Sequence, residues 1–182
     1  AYNNRKTSLQ FIQQEMNNIT ALSNETCQLG IQSRNMVFYI AKKDSPQPIR
    51  LMSSVGKQLP LYCTGLGRAL LAYKSEEEIR SLFPEVLTAY TPHTIATIND
   101  LLKELELTRQ RGYAVEHEET NLMVNCIAVS LDYNNAPIAA LSISIPTFRI
   151  SESKEKEAVQ ILWEAKQRIE THFKMYGVDF GN

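Results

Sequence analysis

The chain has 182 residues, 43% of them hydrophobic, so it can bury a core of its own, and its length fits one domain, residues 1–182. Nineteen lysines and arginines against 20 acids leave a formal charge of -1, which excludes the positive field that gripping a phosphate backbone requires. Cys27, Cys63 and Cys126 have neither zinc-cage spacing nor the even count of a disulfide framework, no apolar run reaches the ~20 residues of a membrane span, and the start AYNNRKTS lacks signal-peptide character. These features point to a soluble protein of the reducing cytoplasm, and the opening on Ala1 fits a chain cut from a longer one.

Leu9, Ile12, Met16 and Ile19 recur at spacings of three and four and predict an amphipathic helix within 1–22, opened by a capping box of Thr7 and Gln10. The stripe is a packing seam, which could also join two subunits. From Glu25 to Ser54 the runs TCQLGIQ, NMVFYIAKK and PIRLMSS read as three antiparallel strands. Thr64 then caps a short helix with Gly65 and Gly67 in its first turn, Ser75 and Glu78 box a second that Pro84 closes, and Thr97 and Asp100 open a third that stops at Gly112. YAVEHEE, VNCIAVSLDY and PIAALSISI read as three more strands, the last two joined by a turn at Asn134-Asn135. A long helix from Ser151 turns Ala158, Ile161, Leu162, Ala165, Ile169 and Phe173 inward, and 177–182 reads as a tail. This order lacks regular strand–helix alternation and predicts an α+β fold, an antiparallel sheet of about six strands flanked by helices, including N- and C-terminal helices.

Four features could carry chemistry. Thr64-Gly65-Leu66-Gly67 either leaves uncovered N–H groups for a carboxylate or phosphate, or only lets the helix pack closely on the sheet. A dinucleotide fingerprint is disfavoured, because Leu70 stands where the third glycine belongs and no βαβ frame surrounds it. Glu116, His117, Glu118 and Glu119 could join Cys126 in a metal site, although the isolation of His93 and His172 favours a solvated acidic loop. His117 could instead activate the Cys126 thiol, or Cys126 is a small buried side chain in an apolar run. Ser142 and Ser144 alternate with Leu141, Ile143 and Ile145, so both hydroxyls face either water or a pocket.

Taken together, LPLYCTGLGRALLAY, RGYAVEHEETNLMVNCIAVSL and AALSISIPTFRIS resemble, in order and spacing, three successive signatures of the C-terminal effector-binding domain of IclR-family transcription regulators. The resemblance runs from Ser8 to Phe173 and implies a GAF-like fold with no catalytic activity, cofactor or metal. It implies a sensor core at 23–176 whose parent is a homo-oligomer, dimer or tetramer, that represses or activates transcription. That parent reads DNA through an N-terminal winged helix-turn-helix absent from this chain. It further implies an effector pocket with Leu51 and Leu59 as apolar walls, Gly65 and Leu66 at the helix start, and Glu116, Val124, Cys126, Ser142 and Ser144 opposite. The loop departs from the family pattern, reading His117, Asn121-Leu122-Met123 and Asn125 where acidic residues, Glu-Pro-Gly and an arginine are usual.

On this reading the Gly65 and Leu66 N–H groups and the serine hydroxyls hold a small carboxylate effector. An ionised Glu116 only accepts hydrogen bonds, so it meets ligand hydroxyls and favours a hydroxylated or sugar-derived acid over a dicarboxylate. The N-terminal helix is expected near a subunit contact, leading toward the DNA reader. Two other readings stand beside this one: a GAF-like thiol enzyme using Cys126, which needs an acidic, exposed thiol, and an oligomerisation domain with an empty pocket.

Overall fold

In the computed structural model, which describes residues 6–48 and 54–180, side-chain caps set where the helices begin. Helix α1 (Ser8–Ser23) opens on the Thr7–Gln10 capping box and ends at Asn24, whose left-handed backbone stops the ladder. Thr64, Ser75, Thr97 and Ser151 each accept from the N–H three residues on, opening α2 (Gly65–Leu71), α3 (Glu76–Leu82), α4 (Ile98–Arg111) and α5 (Glu152–Tyr176). Gly112 ends α4 at a φ of 82°, where an L side chain is strained.

Six strands, β1 (Thr26–Ser33), β2 (Met36–Lys43), β3 (Gln58–Pro60), β4 (Ala114–His117), β5 (Val124–Tyr133) and β6 (Ala136–Pro146), form one antiparallel sheet in the order β3-β2-β1-β6-β5-β4. The β5–β6 hairpin turns through Asn134 and Asn135, both at positive φ, as a two-residue hairpin loop requires. The third strand differs from the sequence reading. PIRLMSS falls mostly outside the described residues, and the segment that pairs with β2 is Gln58–Pro60, in register Val37↔Leu59. It is an edge strand, where Pro60 costs the sheet little for its missing N–H.

Both faces of the sheet are covered. Cys27, Leu29, Ile127, Val129, Leu141 and Ile143 pack with Ile12, Met16 and Ile19 of α1 and with Leu162, Ala165, Ile169 and Phe173 of α5. Val37, Tyr39, Ala114, Ala128 and Ala140 face the other way, toward Leu66 and Leu70 of α2 and Leu101 and Leu105 of α4. The α1 stripe is thus a core seam within the chain, since Ile12, Met16 and Ile19 are buried and Glu15 holds Arg168 of α5 at 2.9 Å. Leu9 is only partly buried against it. Residues 177–180, expected as a tail, run back along α1. Ser8 Oγ donates to Gly177 O and accepts from Asp179 N, Leu9 N donates to Asp179 O, and Val178 and Phe180 pack on the core. No helix among the described residues is long and apolar enough to cross a membrane.

Candidate functional site

Cross-strand register builds a polar strip on the α2 side of the sheet. Glu116 pairs with Cys126, Cys126 with Ser144, and Gln28 with Ser142, so β4, β5, β6 and β1 place these side chains in adjacent rows. The start of α2 lies over the strip and encloses a pocket of about 270 Å³. Eight of the nine residues singled out from sequence line it: Leu59, Gly65, Leu66, Glu116, Val124, Cys126, Ser142 and Ser144. The ninth, Leu51, lies outside the described residues.

The α2 glycines serve packing as well as access. A Cβ on Gly67 would stand 2.1 Å from Leu61 O, and one on Gly65 would stand 3.0 Å from the Cys126 Cβ. Helix and sheet therefore approach more closely than alanine permits, and Gly65 and Leu66, whose N–H groups have no partner within the helix, border the pocket.

The serines do not present a solvated face, being almost fully buried. Ser144 Oγ donates to Gln28 Oε1 at 2.9 Å and Ser142 Oγ donates to the same atom at 3.4 Å. Each hydroxyl has one proton, so both are committed to Gln28, and the serines meet a ligand as acceptors. In this arrangement they offer a ligand acceptors, where the sequence pointed to donors for a carboxylate. Cys126 Sγ lies 3.2 Å from Ser144 Oγ and completes the chain.

The acidic run is not a solvated loop. Glu119 is buried and accepts from Arg68 Nη2 at 2.5 Å and from Ile95 N at 2.8 Å, while Arg68 also donates from Nε to Tyr62 O and from Nη1 to Val115 O. Glu118 accepts from Met123 N and Thr147 Oγ1, which hold its carboxyl below the usual range. Glu116, 1% exposed, accepts from Glu119 N at 3.2 Å and from Thr120 Oγ1 at 3.4 Å. Burial pushes its carboxyl up to about 7, against the pull of those bonds and of Arg68.

In the unfolded chain Glu116 titrates near its ordinary 4.5. The protonated side chain therefore contributes stability that is full below pH 4.5 and is lost as pH rises through 7. Glu116→Gln, which does not titrate, should gain about 3 kcal/mol on wild type between pH 4.5 and 8. Parallel denaturant curves across that range check this, and a gap that stays constant would contradict the assignment.

Two of the sequence readings fail on register. His117 pairs with Asn125, and its Nδ1 lies 3.1 Å from Asn125 Oδ1. Adjacent residues of a strand face opposite ways, so His117 points away from Glu116 and Cys126. It can neither deprotonate Cys126 nor join it at a metal, and among the described residues no three His, Cys, Asp or Glu side chains converge. Burial, reinforced by Glu116, pushes the Cys126 thiol up to about 12, the reverse of an activated nucleophile.

The sequence pattern of the family described as "Bacterial transcriptional regulator IclR C-terminal" matches residues 5–171. The chain belongs to this family. It is 38% identical over 157 residues to the HTH-type transcriptional regulator KdgR of Dickeya chrysanthemi, covering 85% of this chain and 52% of the relative. It is 33% identical over 158 residues to the HTH-type transcriptional repressor AllR of Escherichia coli (strain K12), covering 86% and 58%. It therefore spans just over half the length of those relatives, which are regulators of transcription rather than enzymes. The crystal structure of the C-terminal domain of E. coli KdgR has a TM-score of 0.81 at 32% identity, over 90% of this chain and 96% of that one.

The pocket of this IclR C-terminal domain also holds residues that the sequence reading did not place there: Gln28, Tyr39, Lys57, Thr120 and Asn121, and with them the capping residue Thr64. Gln28 was legible in principle, as a polar residue between the apolar Cys27 and Leu29 of a strand. Lys57 and Asn121 carried no such signal, because each sits in a loop whose direction only the folded register fixes.

Proposed function

We propose that residues 1–182 act as one sensor domain, which binds a small carboxylate bearing hydroxyl groups. The bound state then biases a DNA-reading domain in a cytoplasmic, homo-oligomeric transcription regulator. What carries this reading is the convergence of eight residues, drawn from separate segments, on one pocket under the start of α2. With the serine protons spent on Gln28, a carboxylate is held by the Gly65 and Leu66 N–H groups, and the Gln28 amide nitrogen is a further donor. Leu59, Leu66 and Val124 cover its apolar skeleton.

Glu116 gives the reading its selectivity. With its carboxyl near 7 it meets a ligand hydroxyl in either form, donating when protonated and accepting when ionised. A second carboxylate is tolerated only beside protonated Glu116. Dicarboxylate affinity should therefore fall about tenfold per unit above pH 7, while hydroxy-acid affinity stays nearly flat.

Signalling needs differential affinity, since a ligand that binds two arrangements equally shifts neither. The segment from Glu116 to Val124 is suited to carry it. Thr120, Asn121 and Val124 line the pocket, while Glu119 ties the same loop to α2 through Arg68. A thermal-shift screen against 2-oxo acids, aldonic acids, keto-deoxy sugar acids and dicarboxylates at pH 6 and 8 tests the proposal. A saturable rise for hydroxylated acids, equivalent to about 2.7 kcal/mol at a hundred times Kd, is expected. A flat panel would leave an oligomerisation domain with an empty pocket.

A further inference from the structure

We infer that Lys57 sets the charge that the pocket selects, its ammonium joining the Gly65 and Leu66 N–H groups on the ligand's carboxylate while Glu116, at another part of the wall, takes a hydroxyl. The inference rests on the sensor reading above and deepens it.

Lys57 follows the turn at Gly56 and leads into β3. Its backbone is pinned to β2: Tyr39 N donates to Lys57 O at 3.0 Å and Gly56 N donates to Tyr39 O at 2.8 Å. Lys57 and Tyr39 therefore border the pocket from a fixed edge of the sheet. The Lys57 side chain makes no hydrogen bond or ion pair with any described residue. It is also the sole cation among the described residues of the lining, as Glu116 is the sole acid.

Arg68, the other cation nearby, does not line the pocket, and each of its three nitrogens is bonded, to Tyr62 O, Val115 O and Glu119. Glu116 is consumed on its inner side by Glu119 N and Thr120, and it does not pair with Lys57. An ammonium and a carboxyl thus share one pocket of about 270 Å³ without touching. The Lys57 charge reaches into the polar strip, since it draws down the Cys126 thiol that burial and Glu116 push up.

A half-buried cation with no partner among the described residues gains most from an anion that brings charge-assisted hydrogen bonds. A neutral ligand of the same shape leaves it unpaired. A second negative charge meets Glu116 instead. The pair therefore selects one carboxylate at one end of the ligand and neutral polar groups at the other.

Calorimetric titration of wild type, Lys57→Met and Lys57→Arg with three acids and their primary amides tests this: D-gluconate, D-glycerate and pyruvate. Wild type and Lys57→Arg should bind at least one acid about tenfold or more tightly than its amide, the worth of one charge-assisted bond. Lys57→Met should bring acid and amide within about twofold while leaving amide affinity unchanged. If Lys57→Met keeps the tenfold preference, the assignment of charge selection to Lys57 is overturned and the sensor reading survives. If wild type binds none of the three acids at millimolar concentration, the sensor reading fails and takes the role of Lys57 with it.

Discussion

Arg68→Ala is expected to cost about 3–5 kcal/mol of folding stability, as breaking a buried ion pair from one side does. Arg68 is 1% exposed, and its three nitrogens bind Tyr62 O, Val115 O and Glu119. Truncation leaves two backbone carbonyls and a buried carboxylate without their donor. Glu119→Gln should cost less, because the amide oxygen can still accept from Ile95 N and Arg68, left without its counter-charge, keeps Tyr62 O and Val115 O as acceptors. Denaturant unfolding of the two variants measures the difference. Equal losses below about 1 kcal/mol would mean that the pair is not the junction between α2 and the loop after β4.

Gly67→Ala comes next in size, for a different reason. The added Cβ would meet Leu61 O at 2.1 Å, Leu61 Cα at 2.4 Å and Leu61 C at 2.5 Å, all of them backbone atoms that no rotamer change can move. Helix α2 must shift away from the segment after β3, and a cost of about 3 kcal/mol or more is expected, at the upper end of overpacking. Gly56→Ala is the contrast. Its Cβ would meet nothing within 4 Å, so only the strain of a φ of 88° remains, about 1–2 kcal/mol. Thermal melts of both variants separate the two causes, and a Gly67→Ala protein as stable as Gly56→Ala would show that α2 is free to move.

What was legible in the sequence was mostly local. Caps at Thr7, Thr64, Ser75 and Thr97 act within one helical turn, and each starts a helix where its spacing said. The Asn134-Asn135 turn fixed one hairpin in the same way. β3 was illegible because three residues ending in Pro60 carry no periodicity, and only the edge of β2 makes them a strand. The errors at the site share one origin. Glu119 looks solvated until Arg68, 51 residues away in sequence, is seen to meet it, and His117 looks like a partner for Cys126 until register turns it toward Asn125. Ser142 and Ser144 alternated as a solvent face would, yet α2 and the loop after β4 cover that face. The family resemblance led to most of the pocket lining that composition could not, but not to Lys57, which only the fold brings to the pocket wall.

The central claim, that the space under the start of α2 is the ligand site, is tested most directly by titrating one acid into wild type and into Val124→Phe. Val124 is half-buried on the pocket wall, so a phenyl ring there occupies the cavity and does not disturb the two cores. Wild type should show saturable one-to-one binding, with at least a hundredfold loss, about 2.7 kcal/mol, in a Val124→Phe protein that melts normally. Equal affinities in the two proteins would place the ligand elsewhere and contradict that claim.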